Sequence, residues 1–176
     1  SNYKPFLGDI RDKDRLTQAL NNVDYVYHCA ALKHVAICEY NPFEALKTNV
    51  IGTNNLLQAC IDSGVKKLVF ASSDKAVNPT STMGATKLLA EKLVLSSNNY
   101  VGNSLFKASS VRFGNVWGSS GSVGLIFKDQ CDHNKPITVT SADMTRFIIT
   151  EKKAIELCQF AMNSMHGGEI FISDMG

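Results

Sequence analysis

The stretch Lys67-Leu68-Val69-Phe70-Ala71-Ser72-Ser73-Asp74-Lys75-Ala76-Val77-Asn78-Pro79-Thr80-Ser81-Thr82-Met83-Gly84-Ala85-Thr86-Lys87-Leu88-Leu89-Ala90-Glu91 joins a strand, a loop and a helix. Leu68 to Ala71 form a short unbroken apolar run between Lys67 and Ser72, the pattern of a strand buried on both faces of a parallel sheet rather than of a two-faced surface strand. Asn78-Pro79 interrupts any regular element. Helical spacing starts near Met83 and carries Leu88, Leu89, Leu93 and Val94. Ser73, Asp74 and Lys75 are thereby placed in a loop at the carboxyl end of a strand, the end at which open α/β sheets bind ligands.

The same alternation runs outward in both directions. Upstream, Tyr3 to Leu7 is predicted as a strand ending at Gly8-Asp9, and Asp12, Asp14, Leu16, Ala19 and Leu20 predict a short helix. Val23 to Cys29 is the next strand and runs into Ala30-Ala31-Leu32-Lys33-His34-Val35, followed by a loop through Asn41-Pro42. Ala45, Thr48, Asn49, Gly52, Leu56, Leu57 and Cys60 recur at helical spacing until Gly64 stops the helix. Downstream, Lys107 to Phe113 is a strand that ends in Gly114-Asn115-Val116-Trp117-Gly118. Val123 to His133 is predicted as a helix, Ile137 to Thr140 as a short strand, Glu151 to Met165 as a helix and Ile170 to Ser173 as the last strand. Strands alternating with helices of this length imply parallel βαβ units with right-handed crossovers.

Composition narrows the classes of function. At 176 residues, 44% hydrophobic and 19% charged, the chain is sized for one compact α/β domain. The net charge is +2, and the longest basic runs are the pairs Lys66-Lys67 and Lys152-Lys153, so no nucleic-acid partner is expected. Cys29, Cys38, Cys60, Cys131 and Cys158 are odd in number and lack Cys-x-x-Cys spacing, which reads as free thiols in a reducing compartment; Cys29, Cys60 and Cys158 are expected in the core. The four histidines are dispersed, and no metal site is expected. No apolar run reaches the length of a membrane span, so no membrane contact by this chain is expected.

Ser73 lies ten positions before Met83, and Lys87 lies four after it. This spacing resembles the short-chain dehydrogenase/reductases, in which a Ser or Thr precedes a Tyr-x-x-x-Lys helix; Met83 stands where the Tyr is expected. Ser-Asp-Lys-Ala-Val-Asn-Pro, Ala-Ala-Leu-Lys-His-Val, Val-Arg-Phe-Gly-Asn-Val and Met-Thr-Arg-Phe narrow the resemblance to the UDP-N-acetylglucosamine 4,6-dehydratases, some of which also carry Met at that position. The resemblance implies a Rossmann-like, doubly wound parallel sheet. Residues 1–118 would be a partial NAD(P)-binding domain, and 119–176 would contribute to a substrate subdomain and the sheet. It further implies NAD or NADP as cofactor, a UDP-sugar substrate, a homo-oligomer, a cytoplasmic setting and a place in surface polysaccharide or glycan synthesis; the complete protein could be anchored at the inner face of a membrane.

On that resemblance, a bound nicotinamide takes hydride from C4 of the sugar and returns it to C6. The resulting C4 ketone acidifies the C5 proton. Lys75 removes that proton and Asp74 protonates the departing C6 hydroxyl, work suited to an adjacent acid and amine at a strand end. Ser73 orients a sugar hydroxyl or ketone, or else caps its loop. Lys87 hydrogen-bonds the nicotinamide ribose, or else lies on an exposed helix face. Met83 cannot exchange a proton in neutral water, so the C4 hydroxyl proton must go to Asp74, Lys75 or a water. Asp9 matches the adenine contact, and Ile10, Ser72 and Phe113 are placed beside the cofactor with it. Ala30 and Ala31 match small residues that admit the cofactor backbone, and Asn49 a residue that supports their loop, the alternative being ordinary packing and capping. Lys33 lines the sugar or cofactor site, Asn115 bonds the sugar nucleotide, and Arg146 meets the diphosphate, a task for a planar guanidinium.

Two other functions are open at this stage. An epimerase of the same superfamily needs redox at C4 but no acid–base pair for elimination. A noncatalytic dinucleotide-binding domain is the reading that Met83 motivates. No strand in the chain is followed by Gly-x-Gly-x-x-Gly, the turn that lets a backbone approach a pyrophosphate. The opening Ser-Asn-Tyr-Lys-Pro-Phe reads as the middle of a domain, so these residues are expected to be a fragment that binds NAD poorly. The Val23 strand is then expected to expose an apolar edge to other chains, or to pair directly with the Tyr3 strand.

Overall fold

The apolar run at Leu68–Ala71 forms an inner strand of a parallel sheet in the computed structural model of the chain, which describes residues 3–102 and 105–175. In chain order the elements are α1 (Lys13–Ala19), β1 (Tyr25–His28), α2 (Val35–Tyr40), α3 (Pro42–Leu46), a π-helical turn (Lys47–Ile51), α4 (Gly52–Asp62), β2 (Lys67–Ala71), a 3-10 turn (Asp74–Ala76) and α5 (Thr82–Ser97). β3 (Lys107–Arg112), β4 (Asn115–Val116), α6 (Val123–Asp132), β5 (Ile148–Ile149), α7 (Glu151–Ser164) and β6 (Ile170–Ile172) follow. The main sheet has the order β1-β2-β3-β6, all parallel, with Phe70 opposite His28 on one side and Ser110 on the other. β4 and β5 make a second, two-stranded parallel sheet.

Because side chains alternate across a strand, β2 feeds two cores. Leu68 and Phe70 pack with Leu57 and Cys60 of α4, Ala90 and Val94 of α5, and Ala108. Val69 faces the other way and packs with Val111 and with Ala161, Met162 and Met165 from α7 and its end. Phe70, Leu68, Val69 and Val111 are all at most 1% exposed. The helices start where side chains satisfy their free N–H groups: Asp12 accepts from Arg15 N at 3.0 Å, Ser81 from Gly84 N at 3.2 Å and Thr150 from Lys153 N at 3.3 Å. Gly64, at φ +76°, ends α4.

Several expectations are corrected. Tyr3 to Leu7 forms no strand and does not pair with β1; among the described residues it has no ladder partner, and Tyr3 and Leu7 are exposed. β1 therefore keeps a free edge, and Tyr25 and Tyr27 stand exposed on its face. Cys29 shares that face, and α7 packs over β2 and β3 instead, so the thiol is exposed rather than in the core. The segment before Asn41-Pro42 is the helix α2, not a loop: Asn41 breaks the chain for one residue and Pro42 opens α3, where its missing N–H is harmless. No strand forms at Ile137–Thr140. Ile148–Ile149 pairs instead with Asn115–Val116, where the loop after β3 was expected to stay irregular. That pairing requires Gly114, since a Cβ there would lie 2.4 Å from the Phe147 carbonyl oxygen. Phe113 falls just beyond β3, and His133 is the cap of α6.

The end of the chain is fastened to β3 by Glu169. Burial would raise its carboxyl pKa, but the Ser109 hydroxyl at 2.6 Å and the backbone N–H groups of His166 at 2.6 Å and Gly167 at 2.9 Å outweigh it and hold the group at about 2, against an ordinary 4.5. A carboxyl with a depressed pKa contributes stability that is complete above its ordinary value and is lost as pH falls through the folded value. Acid titration is expected to show stability falling between about pH 4.5 and pH 2, with a shallower fall in Glu169→Gln; identical acid profiles would remove this anchor.

Candidate functional site

At the carboxyl ends of β2 and β3 the chain gathers Ser73, Asp74, Lys75 and Asn115. Ser73 has extended backbone and caps the 3-10 turn: its hydroxyl accepts from Lys75 N at 3.2 Å and donates to Asp74 Oδ1 at 2.9 Å. Lys75 Nζ donates to Asp74 Oδ1 at 3.1 Å and to Asn115 Oδ1 at 2.9 Å. Asp74 N donates to Phe113 O at 3.2 Å, and Asn115 N to Phe147 O at 2.8 Å, so three segments distant in sequence are tied at one place. All four side chains are only partly buried and remain open to a ligand. A carboxylate, an amine and a hydroxyl in mutual contact can hand a proton to and take one from a bound molecule.

Lys87 reaches the same strand end from α5. Its Nζ donates to Ala71 O at 2.8 Å and lies 4.6 Å from the centre of the Phe70 ring. Burial pushes its pKa down to about 8, against a small opposing effect of Cys29. A lysine whose folded pKa is lowered destabilises the fold while it is charged, so this contribution improves as pH rises from about 8 to about 10.5. The shift is worth about 3 kcal/mol over that window. Side-chain NMR is expected to place the Lys87 titration near pH 8, and the stability gap between the protein and Lys87→Met is expected to move in the protein's favour from pH 8 to 10.5; a midpoint above 10 would show that the amine is solvated.

Beside Lys87, Ser72 is buried, and its hydroxyl has no hydrogen-bond partner among the described residues. Ala30 and Ala31 follow β1 at the adjoining strand end, and Asn49 holds their loop. Its Oδ1 accepts from Leu32 N at 2.7 Å, while its Nδ2 donates to Leu32 O and to Thr86 Oγ1, both at 3.0 Å. Both amide hydrogens and one lone pair of the oxygen are taken by protein groups, so Asn49 supports the loop, delivered there by the π-helical turn. His28 lies beneath the loop: Thr53 Oγ1 donates to Asn49 O at 2.7 Å, so His28 Nε2 carries the hydrogen of its 2.8 Å bond to Thr53. Burial and then the Lys87 charge hold His28 at about 3, and it stays neutral.

The remaining predicted residues lie outside this cluster. Met83 is buried against Cys38, Ala45 and Leu32, so the position expected to hold a tyrosine is an apolar wall. Asp9 accepts from Arg11 N, Nε and Nη2 at 2.8, 3.0 and 2.7 Å, and these bonds hold it at about 2. Ile10 packs on Gly52, where a Cβ would meet it at 2.7 Å. The Phe113 ring packs with Val69, Val111 and the α7 residues, leaving its backbone toward the loop. Lys33 Nζ donates to Ser119 Oγ at 3.3 Å, linking the loop after β1 to the loop after β4. Arg146 is exposed and donates to its own neighbour Thr145 O at 2.6 Å, but the next residue, Phe147, abuts Gly114 and Asn115.

Sequence reasoning missed Glu91, Arg112 and Gly84. Glu91, four residues after Lys87, is wholly buried and paired with Arg112, and its signal was a charged residue on the core side of a helix. Gly84 lets α5 press on the 3-10 turn.

The family described as "Polysaccharide biosynthesis protein" matches residues 1–176. The chain is 54% identical over 170 residues to an uncharacterized membrane protein of Methanocaldococcus jannaschii, covering 97% of this chain and 51% of that protein. It is 46% identical over 168 residues to the UDP-N-acetylglucosamine 4,6-dehydratase (inverting) of Campylobacter jejuni, covering 95% and 50%. To a UDP-glucose 4-epimerase of Rickettsia massiliae it is 39% identical over 169 residues, covering 96% and 50%. Among solved structures, Pen from Bacillus thuringiensis superposes with a TM-score of 0.96 at 50% identity over 99% of this chain and 55% of that one. The UDP-glucose 4-epimerase of Thermus thermophilus in complex with NAD superposes at 0.80, with 26% identity, over 95% and 62%. The chain spans about half the length of the curated relatives it matches. Among the described residues no helix is long and apolar enough to cross a membrane.

Proposed function

The chain belongs to the family of polysaccharide biosynthesis proteins, and on that premise we propose that it carries the acid–base site of an NAD(P)-dependent sugar-nucleotide 4,6-dehydratase acting on UDP-N-acetylglucosamine. The observation that carries the proposal is the Lys75 amine held between the Asp74 carboxylate and the Asn115 amide oxygen at a strand end. Epimerisation at C4 needs no such pair, and elimination of water across C5 and C6 does. The dehydratase of Campylobacter jejuni, at 46% identity, supports the same class.

The residues present suit the nicotinamide-ribose end of the cofactor. The buried Ser72 hydroxyl has no partner among the described residues, Lys87 brings an amine of lowered pKa to the same strand end, and Ala30 and Ala31 offer little bulk beside it. When bound, the nicotinamide would accept hydride from C4 and return it to C6. In this proposal the C4 hydroxyl proton passes to water, Lys75 takes the C5 proton and later returns it to C5, Asp74 gives a proton drawn from solvent to the departing C6 hydroxyl, and Ser73, already bonded to Asp74, holds the C4 oxygen. Asn115 keeps the Lys75 amine on the sugar side, Met83 excludes water from the far wall, and Arg146 meets the diphosphate. Lys33 closes the sugar side through Ser119. Residues 1–118 would serve the cofactor, and 119–176 the substrate and the sheet edge.

Incubating the full-length protein that carries these residues with NAD(P) and UDP-N-acetylglucosamine tests the assignment: a UDP-4-keto-6-deoxy sugar is the expected product. Formation of the C4 epimer without any deoxy product would reject the dehydratase in favour of the epimerase.

A further inference from the structure

We infer that Glu91 and Arg112 are positioning residues for the site at the strand ends, setting where α5 stands along β3. The pair is bidentate, with Arg112 Nε to Glu91 Oε2 at 2.9 Å and Nη2 to Oε1 at 2.5 Å, and the Glu91 side chain is completely buried. Removing two charges from water is expensive, and well-packed apolar side chains of the same volume hold a helix to a sheet at least as well. Most of the α5 contact with the sheet is of that apolar kind, made by Ala90 and Val94 against Leu68, Phe70 and Ala108. Its ionic part lies at the site end. Glu91 is one helical turn beyond Lys87, and both face the sheet. Arg112 is three residues before Asn115, and alternation along β3 puts Ser110, a second buried hydroxyl without a partner among the described residues, on the Arg112 side.

An apolar contact allows a helix to slide by a fraction of a turn at small cost, whereas a bidentate guanidinium–carboxylate pair has one geometry. Fixing Glu91 against Arg112 therefore fixes two distances together: Lys87 Nζ to Ala71 O at 2.8 Å, and, through Phe113 and Gly114, Asn115 Oδ1 to Lys75 Nζ at 2.9 Å. Neither Glu91 nor Arg112 bonds to Ser73, Asp74, Lys75 or Asn115, so the pair acts on the site only through α5 and β3.

The consequence for turnover rests on the dehydratase proposal, but the positioning itself does not. The test replaces both charges at once, Glu91→Leu with Arg112→Met, which keeps volume and removes the fixed geometry. The double variant is expected to fold with a melting temperature at or above the parent's. Even so, the Lys87 titration, followed by side-chain NMR and assigned with Lys87→Arg, is expected to move by a pH unit or more. In the full-length protein kcat is expected to fall on the order of a hundredfold, the cost of a misplacement of about an ångström, with KM within about threefold. A stable double variant with an unchanged Lys87 titration and unchanged kcat would overturn the inference and leave the pair a staple. If the full-length protein turns over no UDP-sugar, the dehydratase proposal fails alone and the titration still decides the positioning. Should the double variant not fold, Arg112→Lys, which keeps the charge and one hydrogen bond, is read by the same two measurements.

Discussion

Lys75→Met is expected to lower water elimination by about a hundredfold to ten-thousandfold, the range associated with losing a general base. Methionine has nearly the shape of the lysine stem and no amine, so the change removes the group held between Asp74 Oδ1 at 3.1 Å and Asn115 Oδ1 at 2.9 Å without opening a cavity. Lys75 is at the surface of the turn rather than in either core, and folding is expected to survive. Cofactor affinity is expected to be unchanged, because the residues proposed for the nicotinamide end, Ser72, Lys87 and the loop after β1, are elsewhere. The sharpest measurement is exchange of the C5 hydrogen with deuterium from solvent, which isolates proton removal from the redox steps. Asp74→Asn is expected to leave that exchange in place while blocking product formation. Near-normal dehydration by Lys75→Met would take Lys75 out of the mechanism.

The fold was legible wherever burial on both faces of the sheet leaves a plain mark. Leu68 to Ala71 and the spacing from Met83 onward announce β2 and α5, since a strand covered on both sides must be apolar throughout. Tyr3–Leu7 has the same local character but forms no strand, because a strand is made by its neighbour and none of the described residues pairs with it. The Ile137–Thr140 segment fails for the same reason. Ile148–Ile149 succeeds because Gly114, far away in sequence, lets the Phe147 backbone come close, a condition no local pattern expresses. α2 was missed because Asn41-Pro42 reads as a loop, whereas it is a one-residue joint between two helices.

At the site, Ser73, Asp74 and Lys75 were legible because they adjoin in sequence and lie where such sheets bind ligands. Asn115 was singled out from the sequence, but the atom it meets, Lys75 Nζ, depends on where two strands end in space. Asn49 bonds the backbone of the loop after β1, and both of its amide hydrogens are spent on protein groups, which no local pattern in the sequence expresses. Glu91 and Arg112 carry charges at positions where the periodicity asks for apolar side chains. Such a conflict between pattern and residue type marks a site where geometry has been favoured over simple packing.

Gly84→Ala is expected to cost both stability and turnover, although alanine favours a helix by about 1 kcal/mol over glycine. A Cβ at Gly84 would lie 2.4 Å from Lys75 O and 3.1 Å from Pro79 Cβ. The nearer atom is backbone and cannot turn aside like the end of a flexible side chain, so either the first turn of α5 or the 3-10 turn must shift. Overpacking of this kind typically costs about 1–3 kcal/mol, which offsets or exceeds the gain in helix propensity. The carbonyl that must move belongs to Lys75 itself. A displacement of about an ångström there separates its amine from Asp74 and Asn115 and is expected to lower kcat on the order of a hundredfold. Gly84→Ser is expected to behave alike, since its Cβ meets the same carbonyl. Ala85→Gly, one residue further on the exposed side of α5, removes helix propensity without touching the turn, so it is expected to lose stability while keeping kcat. Thermal melting together with steady-state rates separates the two effects. Full activity in Gly84→Ala would mean that the contact between α5 and the turn does not set the position of Lys75.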